Sequence, residues 1–184
     1  QEFFIIPLEE KWQRRKQEFL SYLLEGDFES ALNFSDRFIK SSEDIENFYL
    51  KIVKPALYDV GNLWERGKIS VSEEHLATAI VGRLMANIYI KKFKKTKRKS
   101  RLKAILTSSP NEYHELGARI VADLLEMNGW DVYYLGANVS SEEVIKLVNK
   151  IKPKIVGISV TMPFNIEKAA ELIKKINLDR KTEL

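Results

Sequence analysis

The 184-residue chain holds two histidines, and each has a carboxylate close by in sequence. His75 directly follows Glu74 in "NLWERGKISVSEEHLAT", where Trp64 stands ten positions ahead of Glu74. His114 lies in "NEYHELG", two residues after Glu112 and three before Gly117. An imidazole that gives one ring N–H to a carboxylate presents its other nitrogen as a metal ligand, and Glu112 is placed to fix His114 that way. Gly117 has no side chain where a helix is expected to begin, so a bulky group could approach the backbone there. Plainer readings stand beside these. Glu112 could be solvated, Gly117 could serve close helix–strand packing, Trp64 could belong to a core or interface, and Glu74 could complement a helix dipole.

Several kinds of chemistry recede. With no cysteine, disulfides, thiolate metal sites and cysteine nucleophiles are excluded. A zinc site would have to rely on carboxylates, and no recognised ligand spacing is present. The chain has no glycine-rich dinucleotide fingerprint after its first strand, no phosphate-binding loop and no nucleophile elbow. Apolar residues at 45% and charged residues at 30% suit a soluble globular protein. No apolar run is long enough to span a membrane and no signal-peptide pattern opens the chain, so a cytoplasmic protein without membrane contact is expected. The start, "QEFF", lacks an initiator methionine and reads as part of something longer. Eight of the eleven residues in "KKFKKTKRKSR" are basic; setting them aside leaves 22 of the 30 basic residues against 26 acidic ones. The net charge of +4 therefore belongs to one solvated junction rather than to a nucleic-acid surface.

The elements that must position these residues change character along the chain. Up to about residue 94 the apolar spacing is helical. One helix stops at Gly26, a second is capped by Asp27, and a third runs over 43–67 behind Ser41 or Ser42, with Pro55 as a kink. Ile52, Tyr58 and Leu63 are its expected core face. Ser70 and Glu73 form a capping box for a fourth helix, and four helices with short connections predict a bundle over 5–94. A basic linker, 95–101, follows. From 102 to 184 strand and helix alternate: strands over 102–108, 130–136 and 154–161, helices over 115–129, 140–151 and 165–176. Alternation predicts a parallel sheet with right-handed crossovers, whose ligands bind beyond the carboxyl ends of the strands. His114, Gly136, Ser159 and Thr161 all fall at that edge. Three strands make a short sheet, so further strands are expected after Leu184.

The "ExHxxG" formed by Glu112, His114 and Gly117 resembles the DxHxxG signature of cobalamin-binding Rossmann-like domains. "SVT", residues 159–161, falls where that family has a Ser-x-Leu or Ser-x-Thr segment. A preceding helical bundle is shared with methionine synthase and the corrinoid methyl carriers. The W-x9-EH of Trp64, Glu74 and His75 most resembles the CarH-type adenosylcobalamin photoreceptors. The resemblance runs over roughly residues 5–178. It implies a helical bundle followed by a Rossmann-like (flavodoxin-like) α/β domain that holds cobalamin, adenosylcobalamin above other forms. His114 would bind cobalt from the lower face and Glu112 would orient it. Gly117, Ser159 and Thr161, with Gly136 at the same edge, would line the channel for the displaced nucleotide tail. Trp64 would sit over the upper face, with Glu74 and His75 contacting the adenosyl group. The implied function is a light sensor, not an enzyme, that works as a homo-oligomer through an output partner which the chain does not identify. A methyl carrier serving a methyltransferase is the alternative, and an interaction domain without cofactor is a third reading. The chain departs from the pattern at three places. Glu112 replaces the usual Asp; Glu65 stands where the photoreceptors have a histidine after the tryptophan; and the family's Gly-Gly segment would lie past Leu184. No helix-turn-helix is evident.

Overall fold

Capping chemistry sets the ends of the helices in the first half of the chain. The structure, a computed structural model, describes residues 8–92 and 102–182; the expected linker at 95–101 lies outside them. Helix α1 (Leu8–Glu25) ends at Gly26, whose φ of +73° is the left-handed conformation that closes a helix. Asp27 caps α2 (Phe28–Phe38) by accepting from the Ser30 N–H, and Ser41 with Asp44 forms a capping box on α3 (Ser42–Asn47). The chain passes through a π-helical stretch, Phe48–Val53, into α4 (Lys54–Glu65). The kink expected at Pro55 takes this form. Proline has no N–H to offer and its ring crowds the preceding turn, so that turn widens, and the Lys54 N–H reaches back five residues to the Tyr49 carbonyl. The single third helix is thus three consecutive segments. Helix α5 (Val71–Lys92) starts at the Ser70–Glu73 box, where the Glu73 N–H donates to Ser70 Oγ at 3.2 Å and the Ser70 N–H donates to Glu73 Oε2 at 2.7 Å.

The chain divides into two compact units, Gln1–Lys94 and Lys95–Leu184. In the first, these helices enclose an aromatic centre: Phe19 lies 5.4 Å from Phe48 and 5.9 Å from Phe34, ring centre to ring centre. Ile52, Ala56 and Val60 continue the buried stripe at four-residue spacing. Tyr58 corrects the expected core face. It is 64% exposed, because six residues from Ile52 carry it roughly 240° round the helix.

The second unit is a three-stranded parallel sheet in the order β2-β1-β3, formed by β1 (Lys103–Ser108), β2 (Asp131–Gly136) and β3 (Ile155–Ser159). Side chains of β1 alternate between faces. Ile105 packs with Val144 and Val148 of α7 (Ser141–Ile151) and with Leu172 and Ile176 of α8 (Ile166–Thr182). Ala104 and Leu106 pack on the other face with Ala122 and Leu125 of α6 (Leu116–Met127). β3 stops at Ser159, two residues short of Thr161, and a 3-10 turn, Pro163–Asn165, leads into α8. With helices on both faces and β1 central, the crossovers part between β1 and β3, and the loops leaving those two strands flank the crevice where such sheets bind ligands.

Candidate functional site

The loop after β1 is built by hydrogen bonds to the loops beside it. The Ser109 N–H donates to the Ser159 carbonyl at 2.9 Å, the Glu112 N–H to the Ser109 carbonyl at 3.0 Å, and the Asn138 N–H to the Glu112 carbonyl at 3.0 Å. Asn111 adopts φ +64°, which asparagine tolerates, and its N–H is taken by Asn138 Oδ1 at 3.2 Å. Ser108 Oγ donates to the His114 carbonyl at 2.8 Å. This path turns Glu112 inward to 1% exposure and leaves 48% of the His114 side chain exposed.

The Glu112 carboxylate accepts from five donors. Its Oε1 takes the His114 backbone N–H at 3.2 Å and the His114 ring at Nδ1. Its Oε2 takes the Thr161 N–H at 3.1 Å, the Met162 N–H at 2.9 Å and Asn165 Nδ2 at 3.1 Å. Burial by itself would raise this carboxyl. The Met162 N–H, the His114 ring, the Asn165 amide and the His114 N–H outweigh it and hold the group at about 2, against an ordinary 4.5. An ionised carboxylate only accepts, so Nδ1 carries the hydrogen, and in the neutral ring Nε2 keeps its lone pair on the half-exposed side. Glu112 thereby crosses the crevice between β1 and β3. Thr161 meets it through its backbone rather than its hydroxyl.

The remaining predicted residues sit apart from that pair. A side chain on Gly117 would lie 3.4 Å from Ser159 Oγ, and one on Gly136 (φ +76°) would lie 3.1 Å from Glu115 Oε2. In the helical unit, α4 ends in a Schellman motif: Gly67 (φ +63°) donates to the Trp64 carbonyl and Lys68 to the Leu63 carbonyl, both at 2.8 Å. Trp64 is 39% exposed. Across the turn, Glu74 accepts from Thr78 Oγ1 at 2.9 Å and contacts His75 Nδ1 at 2.5 Å. Sequence reasoning missed Asn138 and Asn165, which pin the loop and the carboxylate, because nothing local signals partners 27 and 53 residues away.

Among the described residues no three potential metal-binding side chains gather. The site offers one imidazole nitrogen, which suits a metal that brings its other ligands with it. Among the described residues no helix is long and apolar enough to cross a membrane.

Residues 102–183 match the family model described as B12 binding domain, and residues 15–89 match a second model of the same description. The HTH-type transcriptional repressor CarH of Myxococcus xanthus is 28% identical over 127 residues, 68% of this chain and 41% of that protein. The chain thus spans about two fifths of that relative's length. The Methanosarcina barkeri monomethylamine corrinoid protein superposes with a TM-score of 0.76 at 17% identity, over 91% of this chain and 79% of its own, a likeness of fold.

Proposed function

Because the chain is a cobalamin-binding protein of the B12-binding domain family, we propose that it is a sensor module whose cofactor is adenosylcobalamin and whose signal is light. The carrying observation is the Glu112–His114 pair, a single outward imidazole on a buried anion. That donor set suits a metal cofactor that brings most of its ligands with it, as a corrinoid does. When bound, the cofactor would supply a cobalt–carbon bond that light cleaves. The chain's own residues do the rest. His114 would offer Nε2 to the cobalt, and Glu112, bonded to Nδ1, fixes its tautomer. Gly117, Ser159, Thr161 and Gly136 keep the sheet edge clear for the nucleotide tail. Trp64, Glu74 and His75 would contact the adenosyl group. Contacts these residues make with only one ligand state would bias the helical unit toward one arrangement and so its assembly, as a homo-oligomer. The module performs no catalysis of its own.

The W-x9-EH set and the likeness to a transcriptional repressor support sensing over methyl carriage. The test is a visible spectrum of the protein with adenosylcobalamin in the dark and after green light, paired with a sizing column. A histidine-ligated dark spectrum that light converts, with a change in size, supports the reading. Stable binding without a change in assembly favours the methyl carrier.

A further inference from the structure

The two most exposed aromatic rings among the described residues belong to the two loops that flank the His114 crevice. Tyr113 is 73% exposed in the loop leaving β1, and Phe164 is 69% exposed in the 3-10 turn after β3. A single exposed ring is ordinary on a protein surface, but these two share a mount. Tyr113 lies between Glu112 and His114, and its hydroxyl accepts from Asn138 Nδ2 at 3.4 Å. Reversal of the Asn138 amide is barred, since its Oδ1 takes the Asn111 N–H at 3.2 Å. The Phe164 turn starts from Met162, whose N–H donates to Glu112 Oε2 at 2.9 Å, and the Asn165 N–H closes it on the Met162 carbonyl at 2.9 Å. Both rings therefore stand on backbone tied to the carboxylate that holds the imidazole. A ring on a fixed mount has already lost part of the freedom that binding would cost it. Such rings suit a ligand with an apolar face.

An imidazole that binds the metal of a flat macrocycle brings the face of that macrocycle against the side chains around it. We propose that Tyr113 and Phe164 seat that face. The inference rests on His114 being the cobalt ligand, and the choice of probes separates the two. Spectral titrations of the full chain use aquocobalamin, cobinamide (the same ring without its nucleotide tail) and a cobalt porphyrin, a flat macrocycle of different outline. Tyr113→Ala and Phe164→Ala should each raise the dissociation constants of cobalamin and cobinamide about tenfold, with the bound spectrum still histidine-ligated. Tyr113→Phe, which keeps the ring, should stay within about threefold of the native chain. Thermal unfolding without cofactor should not move, because neither ring belongs to a core. Unchanged constants, or losses confined to cobalamin, overturn the proposal. So does an alanine variant whose cofactor-free melting falls along with its affinity. If the native chain takes up porphyrin but no corrinoid, and the alanine substitutions weaken that uptake, the aromatic seat stands and the cobalamin reading falls. Uptake of no macrocycle removes both.

Discussion

Glu112 shows how a residue whose type suggests solvent becomes the anchor of a site. Alone, its burial would be prohibitive; with five donors around it, the charge is the favoured form. The folded-state value lies below that of the unfolded chain, so the charge contributes stability in full above about 4.5 and loses it as pH falls to about 2. The amount is on the order of 3 kcal/mol. In cofactor-free protein, denaturant unfolding of the sheet unit should grow easier across that acid window, and Glu112→Gln should flatten the dependence. His114→Ala removes a half-exposed side chain. It should cost less than about 1 kcal/mol while abolishing the histidine-ligated cobalamin spectrum. A variant that kept that spectrum would place the ligand elsewhere. The pairing of Glu112 with His114 was legible from their spacing. The three donors on Oε2 were not, since Thr161, Met162 and Asn165 lie some fifty residues along the chain.

At the scale of elements, the end of α4 and the start of α5 matter most, because they carry Trp64 and Glu74. The Schellman motif at Gly67 and the capping box at Ser70 are short-range chemistry, and both were readable as helix punctuation. Gly67→Ala places a side chain at φ +63°, with open space around it, so strain rather than collision sets its cost. Gly67→Ala and Ser70→Ala should each destabilise the helical unit by about 1 kcal/mol in thermal unfolding. In the sheet, Gly157 faces Leu106 so closely that an added side chain would stand 2.4 Å from Leu106 Cδ1. Gly157→Ala should therefore force Leu106 from its place on the α6 face, at about 1–3 kcal/mol. Unchanged melting would show that face to be loosely packed.

For the whole molecule, a ligand that binds only the folded chain raises stability by mass action. Cobalamin at a hundredfold excess over its dissociation constant should add about 2.7 kcal/mol, and stripping it should reverse the gain. Trp64→Ala should weaken retention of adenosylcobalamin far more than of methylcobalamin; equal losses would count against an adenosyl contact. The order of the elements, their caps, the absence of cysteine chemistry and the ExHxxG placement were determined by the sequence itself. Periodicity, capping and side-chain inventory are local properties, carried by neighbours a turn or less apart. Tertiary structure alone decided that Asn165 turns its amide to a carboxylate some fifty residues back in the chain. That outcome is a competition for the same atoms between partners distant in sequence. It is resolved only when the loops leaving β1 and β3 bring the donors and the buried charge within hydrogen-bonding reach.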